Sequence, residues 1–290
     1  MSFTEEEFSN ETLATNRDGG PSFPVVERFV SINGEGLRAG RLAAFIRMAG
    51  CNLACSWCDT SWANEDSCPH ETLRVSDLVS WVKSTCVSCV TLTGGEPALQ
   101  PGLDKLVEAL VLSPDWGCGL PSNSPGCALR AALSEDQGQT KRTAVGTNFD
   151  SLTKRVVELE TNGSLDLMQL HQLRQALAER ATIPTTIAFT VDCKLPSSGM
   201  FAEMLESNYE LLTPDDVVKF VVAGREDLEA ALTRIREFDL TSKCEVLFSP
   251  VFSCIDPADI VAFMEAHALS TVRLQLQLHK IIWPHVDKGV

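Results

Sequence analysis

The sequence predicts an α/β protein, a partial (β/α)6-type barrel of mainly parallel strands with its ligand site at the strands' C-terminal ends. Three observations carry this expectation. Short β-branched or apolar runs recur from about Pro24 onward, and stretches of helical amphipathicity lie between most of them. The runs are nearly continuous in apolar character, as strands covered on both faces must be. An open doubly wound sheet is the alternative closure, and it too would bind ligands at the strand ends.

In chain order, the expected strands are VVERFVSI, LAAFIRM, VSCVTLT, VVELET, TIAFTVD, VVKFVV, CEVLF and VRLQLQL. The expected helices are SDLVSWVKST, GLDKLVEALVL, DLMQLHQLRQALAER, REDLEAALTRIREF and PADIVAFMEAHA. Ser76 reads as a cap ahead of DLVSWV, and Asp256-Pro257 reads as a cap and first position ahead of ADIVAF. Residues 1–23 read as a polar, disordered leader, and 24–290 as the folded domain. Residues 113–150 break the rhythm; they are dense in Gly, Pro, Ser and Asn and read as an irregular insertion. No internal repeat of fixed period is present.

Composition narrows the function classes. The chain has 290 residues, 44% hydrophobic and 22% charged, which is ordinary globular material. A net charge of −15 argues against nucleic acid or an anionic membrane as partner, since both demand a basic face. No apolar run approaches the roughly 20 residues needed to span a bilayer. The first residues lack the basic and apolar regions of a secretory signal, so a soluble, cytoplasmic protein is expected. Eleven cysteines in such a chain point to metal ligation or catalysis rather than to a disulfide scaffold.

Three of them are clustered. GCNLACSWCDT places Cys51, Cys55 and Cys58 at C-x3-C-x2-C on a loop opened by Gly50. A structural zinc site normally takes four protein ligands. A 4Fe–4S cluster with three thiolates keeps one iron open to an exogenous ligand, which fits the count better. Zinc with a remote fourth ligand, or three buried thiols, stays open on spacing alone. Roughly forty residues downstream, VTLTGGEP ends a strand in Gly94-Gly95-Glu96-Pro97. Paired glycines there let backbone approach a ligand closely, and Glu96 offers an acceptor.

Together, C-x3-C-x2-C and GGEP resemble the radical S-adenosylmethionine (radical SAM) superfamily. That resemblance implies a 4Fe–4S cluster on the three cysteines and S-adenosylmethionine on its open iron. It also implies a GGE strand end against the methionine amine, and hydrogen abstraction by a 5′-deoxyadenosyl radical. The flanks narrow it. FVSINGEGLRAGRLAAFIRMAGCNLACSWCDTSWA resembles the N-terminal signature of the 7-carboxy-7-deazaguanine synthases, followed in order by TLTGGEPALQ, VELETNGS, FTVDCKLPSSG, VVKFVV, LFSPVF and QLQLHK. The resemblance covers about 24–112 and 156–284. It implies a lyase that contracts 6-carboxy-5,6,7,8-tetrahydropterin to 7-carboxy-7-deazaguanine with loss of ammonia, in queuosine and deazapurine biosynthesis.

Carried over residue by residue, the resemblance implies a pterin site at Ile32, Asn33, Gly34, Glu35, Arg47, Thr93 and Pro284. Arg47 would grip the substrate carboxylate bidentately. Asn33 stands where the family commonly has Gln, one methylene longer. Thr60 would ligate Mg²⁺, which readily completes its shell with water and substrate oxygens. S-adenosylmethionine would be held by Trp57, Cys58, Asp59, Gly95, Glu160, Thr161, Asn162, Asp192, Cys193, Lys194 and Leu195. His279 in QLHK reads as a structural histidine. An electron donor such as flavodoxin or ferredoxin and a homodimer are also implied.

The remaining cysteines read as bystanders. Cys86-x2-Cys89 lies in and beside an apolar strand, and buried thiols are expected there. Cys68, Cys118 and Cys127 fall in irregular segments without an evident fourth partner for an auxiliary cluster. Two rival functions stay open at this point. One is a glycyl-radical-enzyme activase, which shares both motifs but lacks the SINGEG block. The other is a non-catalytic metal-binding module.

Overall fold

β1 (Ser22–Ile32) and β2 (Leu42–Met48) run antiparallel, with Glu27 opposite Arg47. The structure is a computed structural model that describes residues 20–65, 68–117, 154–286 and 288–289. β3 (Glu71–Arg74) pairs antiparallel with the start of β1. The chain then alternates through α1 (Val75–Thr85), β4 (Cys89–Gly94), α2 (Leu103–Leu112), β5 (Arg155–Thr161), α3 (Met168–Arg180) and β6 (Thr185–Cys193). It continues with β7 (Val217–Val222), α4 (Arg225–Glu237), the short α5 (Leu240–Lys243), β8 (Glu245–Pro250), α6 (Pro257–Ala266), β9 (Val272–Leu274) and α7 (Leu278–Ile282). The sheet order is β3-β1-β2-β4-β5-β6-β7-β8-β9, and every pair from β2 to β9 is parallel.

Alternation along each strand sorts the side chains into two layers. Ile46, Met48, Val90, Leu92, Val157, Leu159, Phe189 and Val191 face the helices and pack with Leu78, Leu106, Leu110 and Leu177 in the main core. Each such fully buried side chain contributes roughly 1.5–3 kcal/mol. Their neighbours face inward, where Ala43, Phe45, Cys89, Val156 and Ala188 form a second, smaller core under Phe29. The sheet curls around this inner face. Asn33, just past β1, donates to Glu158 of β5, and Glu35 reaches Lys219 of β7 and Ser249 of β8. The curled, mainly parallel sheet is the partial barrel that the alternation predicts, with β1 and β3 added antiparallel at one edge.

The differences from expectation are local. β3 has four residues and no apolar run, so hydropathy gives no sign of it. α1 starts at Val75 rather than after Ser76; the Arg74 N–H donates to Asp77 Oδ2 at 3.2 Å. α6 starts as expected, with Asp256 accepting from the Ala258 N–H. Only Val272–Leu274 of VRLQLQL is strand, because the chain turns after Gln275 into α7. β1 begins at Ser22 and Phe23 is fully buried, so the fold starts inside the expected leader. Residues 113–117 also belong to the fold. Trp116 is buried with its Nε1–H on the Leu110 carbonyl, and Arg155 reaches the carbonyls of Val111 and Ser113. Residues 1–19 and 118–150, Cys118 and Cys127 included, lie outside the described residues. Among the described residues no helix is long and apolar enough to cross a membrane.

Candidate active site

A cavity of about 450 Å³ opens at the C-terminal ends of the parallel strands. Its walls take one inward residue from each successive strand: Arg47 from β2, Thr93 from β4, Glu160 from β5, Asp192 from β6 and Lys219 from β7. The loop after β2 supplies Cys51, Cys55, Trp57, Cys58, Asp59 and Thr60, and α7 with the residues after it closes the remaining side.

None of the three thiols is in a disulfide, and all line the cavity. Burial pushes the Cys51 and Cys55 thiols up, against the Leu53 N–H for the first and the Lys194 ammonium for the second. Two side-chain amides meet these sulfurs: Asn162 Nδ2 lies 3.7 Å from Cys51 Sγ and Asn64 Nδ2 lies 3.6 Å from Cys58 Sγ. Among the described residues no three His, Cys, Asp or Glu side chains converge as the ligands of one ion. Three thiols leave a tetrahedral zinc shell one ligand short, whereas a 4Fe–4S cluster held by three thiolates keeps one iron open to an exogenous ligand. The donor set therefore fits an iron–sulfur cluster: three thiols on one side of a cavity, with N–H groups aimed at the sulfurs.

The glycine-rich strand end is locked to the cysteine loop. Gly95 N–H donates to the Met48 carbonyl, Glu96 N–H to the Gly50 carbonyl, and Gly50 N–H to the Ala63 carbonyl. A Cβ on Gly95 would overlap the Gly50 carbonyl and press on Asn64 Oδ1 at 2.9 Å, so only glycine fits. Glu96 departs from expectation. Its carboxylate is fully buried, outside the cavity wall, and accepts from Ala98 N–H, Thr161 Oγ1 and Asn162 N–H at 2.9, 2.9 and 2.6 Å. It pins the end of β5 to the strand end of β4.

Charge is concentrated at the rim. Lys219 pairs with Glu35 at 3.1 Å and Asp192 at 3.5 Å, and Lys194 pairs with Asp192 at 3.0 Å. Burial opposes the Lys219 charge, yet Glu35 and Asp192 outweigh it and hold the ammonium well above its usual range. Burial likewise pushes the Asp192 carboxyl up, but the two lysines hold it below. Burial pushes Glu160 up to about 7, with only partial relief from Lys219. Asp192 Oδ1 is buried without a partner, an acceptor aimed where a ligand hydroxyl would satisfy it.

Most residues expected at the site stand on this wall: Ile32, Gly34, Glu35, Arg47, Trp57, Asp59, Thr60, Thr93, Gly95, Glu160, Thr161, Asn162, Asp192, Lys194 and Pro284. Three do not. Asn33 is buried beneath it, donating to Glu158 at 3.4 Å and accepting from Thr91 at 3.2 Å, since its short side chain ends in the polar layer below. Cys193 falls on the helix-facing side of β6, with Sγ 3.1 Å from the Tyr209 hydroxyl, and Leu195 is wholly within the main core. Alternation turns these two side chains away from the cavity.

Four wall or supporting residues were not anticipated. Glu27 holds Arg47 Nε at 2.7 Å from the neighbouring strand. Lys219 is the one cation inside the apolar run VVKFVV, a signal visible in the sequence. Asn64 lies six residues past Cys58. His279 lines the cavity with its ring against Gly34, where any Cβ would strike it, and burial pushes its imidazole down. Cys89 is buried and Cys86 half-buried, so that pair is unattached to the site.

Thiols, glycine shelf and charged rim on a curled parallel sheet define a radical SAM enzyme, and the radical SAM superfamily pattern matches residues 45–184. Two relatives, both named 7-carboxy-7-deazaguanine synthase, align with nearly the whole chain. The one from Clostridium acetobutylicum is 40% identical over 93% of this chain and 100% of its own, and that from Chlorobaculum tepidum is 30% identical over 92% and 96%. The chain belongs to the 7-carboxy-7-deazaguanine synthase family. The crystal structure of QueE from Escherichia coli shares the fold, with a TM-score of 0.56 and 20% identity over 93% of this chain and 99% of that one.

Proposed function

We propose that this chain contracts 6-carboxy-5,6,7,8-tetrahydropterin to 7-carboxy-7-deazaguanine with release of ammonia, supplying queuosine or related deazapurines. The observation that carries the reading is the convergence of three thiols, Arg47 and a ring of carboxylates on one cavity. When bound, a 4Fe–4S cluster and S-adenosylmethionine would supply one-electron reduction and hydrogen-atom abstraction.

The chain's own residues divide the remaining work. Cys51, Cys55 and Cys58 hold the cluster, and Asp192, Glu160 and Lys194 face the cofactor, Asp192 Oδ1 accepting from a ribose hydroxyl. Arg47, fixed through Nε by Glu27, turns its terminal nitrogens to the substrate carboxylate. Glu35, held in place by its ion pair with Lys219, accepts from the pterin's N–H edge. Thr60, on the wall beside Cys58, offers a neutral oxygen to Mg²⁺. The cavity wall formed by α7 and the residues after it excludes water from the reacting centre. A flavodoxin- or ferredoxin-like donor, a homodimeric assembly and a cytoplasmic location complete the reading.

The test is anaerobic reconstitution followed by assay with the carboxylated tetrahydropterin at varied Mg²⁺. Turnover to the deazapurine is expected, and Thr60→Ala should weaken Mg²⁺ stimulation while sparing cluster content and uncoupled cofactor cleavage. Cofactor cleavage with no pterin consumed would sink the substrate assignment.

A further inference from the structure

CNLAC and ETNGS meet beside Cys51 through side chains to which the proposed function gives no work. Asn162 stands just past the end of β5, buried, with its backbone N–H held by Glu96 Oε2 at 2.6 Å. Its Nδ2 donates to Asn52 Oδ1 at 3.0 Å, and Asn52 Nδ2 donates to Ser164 Oγ at 2.8 Å. Ser164 Oγ then donates to Asn162 Oδ1 at 2.7 Å. The three bonds close a ring in which each side chain gives one hydrogen bond and takes one. Asn52 belongs to the cysteine loop and Ser164 to the turn after β5, so the ring joins the two. Asn162 Nδ2 also lies 3.7 Å from Cys51 Sγ.

One backbone group dictates the direction of the ring. Ser164 N–H can only donate, and it lies 2.9 Å from Asn162 Oδ1. The oxygen of that amide must therefore face Ser164, and its nitrogen must face Asn52 and Cys51. The same logic passes to Asn52, whose oxygen must meet that nitrogen and whose nitrogen must meet Ser164. Asn162 has two amide hydrogens: one goes to Asn52 Oδ1, and the other is left for the sulfur. Its Oδ1 takes two bonds from Ser164, so every polar atom of this side chain is engaged. Bonds in such a network polarise one another, and closure of the ring holds its members in one geometry. Cys51 Sγ also accepts from Leu53 N–H at 3.5 Å, so two N–H dipoles converge on this sulfur.

We propose that Asn162 raises the reduction potential of the cluster through Cys51, and that Asn52 and Ser164 are positioning residues that aim its amide. Reduction adds one electron to the cluster, supplied by the flavodoxin- or ferredoxin-like donor. The sulfurs then carry more negative charge, and N–H groups aimed at them favour that reduced form. Burial of Asn162 strengthens the contact, because little water competes for the same sulfur. The inference rests on the cluster reading of the three thiols and is independent of the pterin assignment.

The experiment uses the full chain, reconstituted anaerobically, as wild type, Asn162→Leu, Asn52→Ala and the double variant. Wild-type iron content comes first. A chain that takes up no iron fails the cluster reading and the proposal with it, whereas iron-replete variants with unmoved potentials fail the proposal alone. The midpoint potential is measured by EPR-monitored titration without S-adenosylmethionine or pterin, beside thermal denaturation of the metal-free proteins. Asn162→Leu removes the N–H and should lower the midpoint by about 59 mV. That is a tenfold change in a one-electron equilibrium, the scale of one hydrogen bond to a charged group. Asn52→Ala opens the ring and should lower the midpoint by less. In the double variant the loss of Asn52 should add nothing, because Asn52 acts only through Asn162. A wild-type or higher midpoint in iron-replete Asn162→Leu overturns the proposal, and a lower melting temperature beside it would leave the ring a structural staple. A wild-type midpoint in Asn52→Ala, or the same shift with and without Asn162, overturns it too. Should Asn162→Leu fail to retain iron, Asn52→Ala and Ser164→Ala decide. A lower midpoint in each, with no further fall when they are combined, supports the proposal; a wild-type midpoint in either, or shifts that simply add, sinks it.

Discussion

The inner face of the barrel divides into a floor and a rim built from the same strands. On β2, β4, β5 and β6 the floor carries Ala43, Phe45, Cys89, Val156 and Ala188, with Phe29 stacked on Phe45 at 5.0 Å between ring centroids. Four residues or fewer further along those strands stand Arg47, Thr93, Glu160 and Asp192. Between the two lies a layer in which Glu158 takes hydrogen bonds from Thr190 at 2.8 Å, Arg38 at 3.3 Å and Asn33 at 3.4 Å. The floor is stabilised by burial and needs no partner. At the rim, buried charge is tolerated only because Lys219 and Lys194 answer it, and one oxygen of Asp192 is left for a ligand. Stability and chemistry are thus separated by two steps along each strand.

Substitutions can break that separation, and the largest effect is expected above the rim. Replacing any one of Cys51, Cys55 or Cys58 with Ala should abolish iron–sulfur absorbance and cofactor cleavage together. The same change at Cys86 or Cys89 should leave both in place; visible spectra after reconstitution decide. At the rim itself, Arg47→Ala removes a charge-assisted contact of about 1.5–3 kcal/mol, so pterin affinity should fall about ten- to a hundredfold. Arg47→Lys should recover only part of it, because a point charge cannot reproduce the fork that Glu27 orients. Steady-state kinetics at varied pterin give the answer.

A floor substitution should behave in the opposite way. Val156→Ala deletes methyl groups from a closed apolar layer and should cost about 1–2 kcal/mol of stability in urea melts. Cofactor affinity should not move. If Val156→Ala changed affinity more than stability, floor and rim would be one unit rather than two.

The last effect is a slope. Burial raises the Glu160 carboxyl from an ordinary 4.5 to about 7, so the folded chain keeps a proton that the unfolded chain releases. The stability linked to it is fully present below about 4.5 and is lost as pH rises through about 7. Glu160→Gln should flatten that limb in thermal denaturation of the metal-free protein. A wild-type pH profile in the variant would show that another group carries the slope.

How much of this was legible in the sequence depended on which periodicity carried the information. Eight strands and five helices were visible as apolar or amphipathic runs, and the cysteine loop and glycine pair were visible as motifs. β3 was invisible because ETLR has no run to see. Within a motif, sequence order named the segment but not the direction of each side chain. Asp192 and Cys193 are adjacent in the chain and face opposite sides of β6. Asn33 and Gly34 likewise part company at the end of β1. Partnerships between strands were out of reach altogether, as with Glu27 and Arg47, which meet only through the antiparallel register of β1 and β2. Lys219 could have been flagged, since a lone lysine in a buried strand must find counter-charges.

The wall made by α7 has a consequence in time rather than in space. Leu278 N–H bonds the Gly34 carbonyl and Lys280 pairs with Asp59 at 3.3 Å, so this wall fastens onto the two loops made earliest in the site. During vectorial synthesis those loops, and the thiols beside them, emerge from the ribosome long before residues 278–280 do. Strands β3 to β9 all intervene, which makes the fastening one of the most distant contacts in sequence and a late event in folding. The loop that carries the three thiols is therefore made well before the last wall of its own cavity.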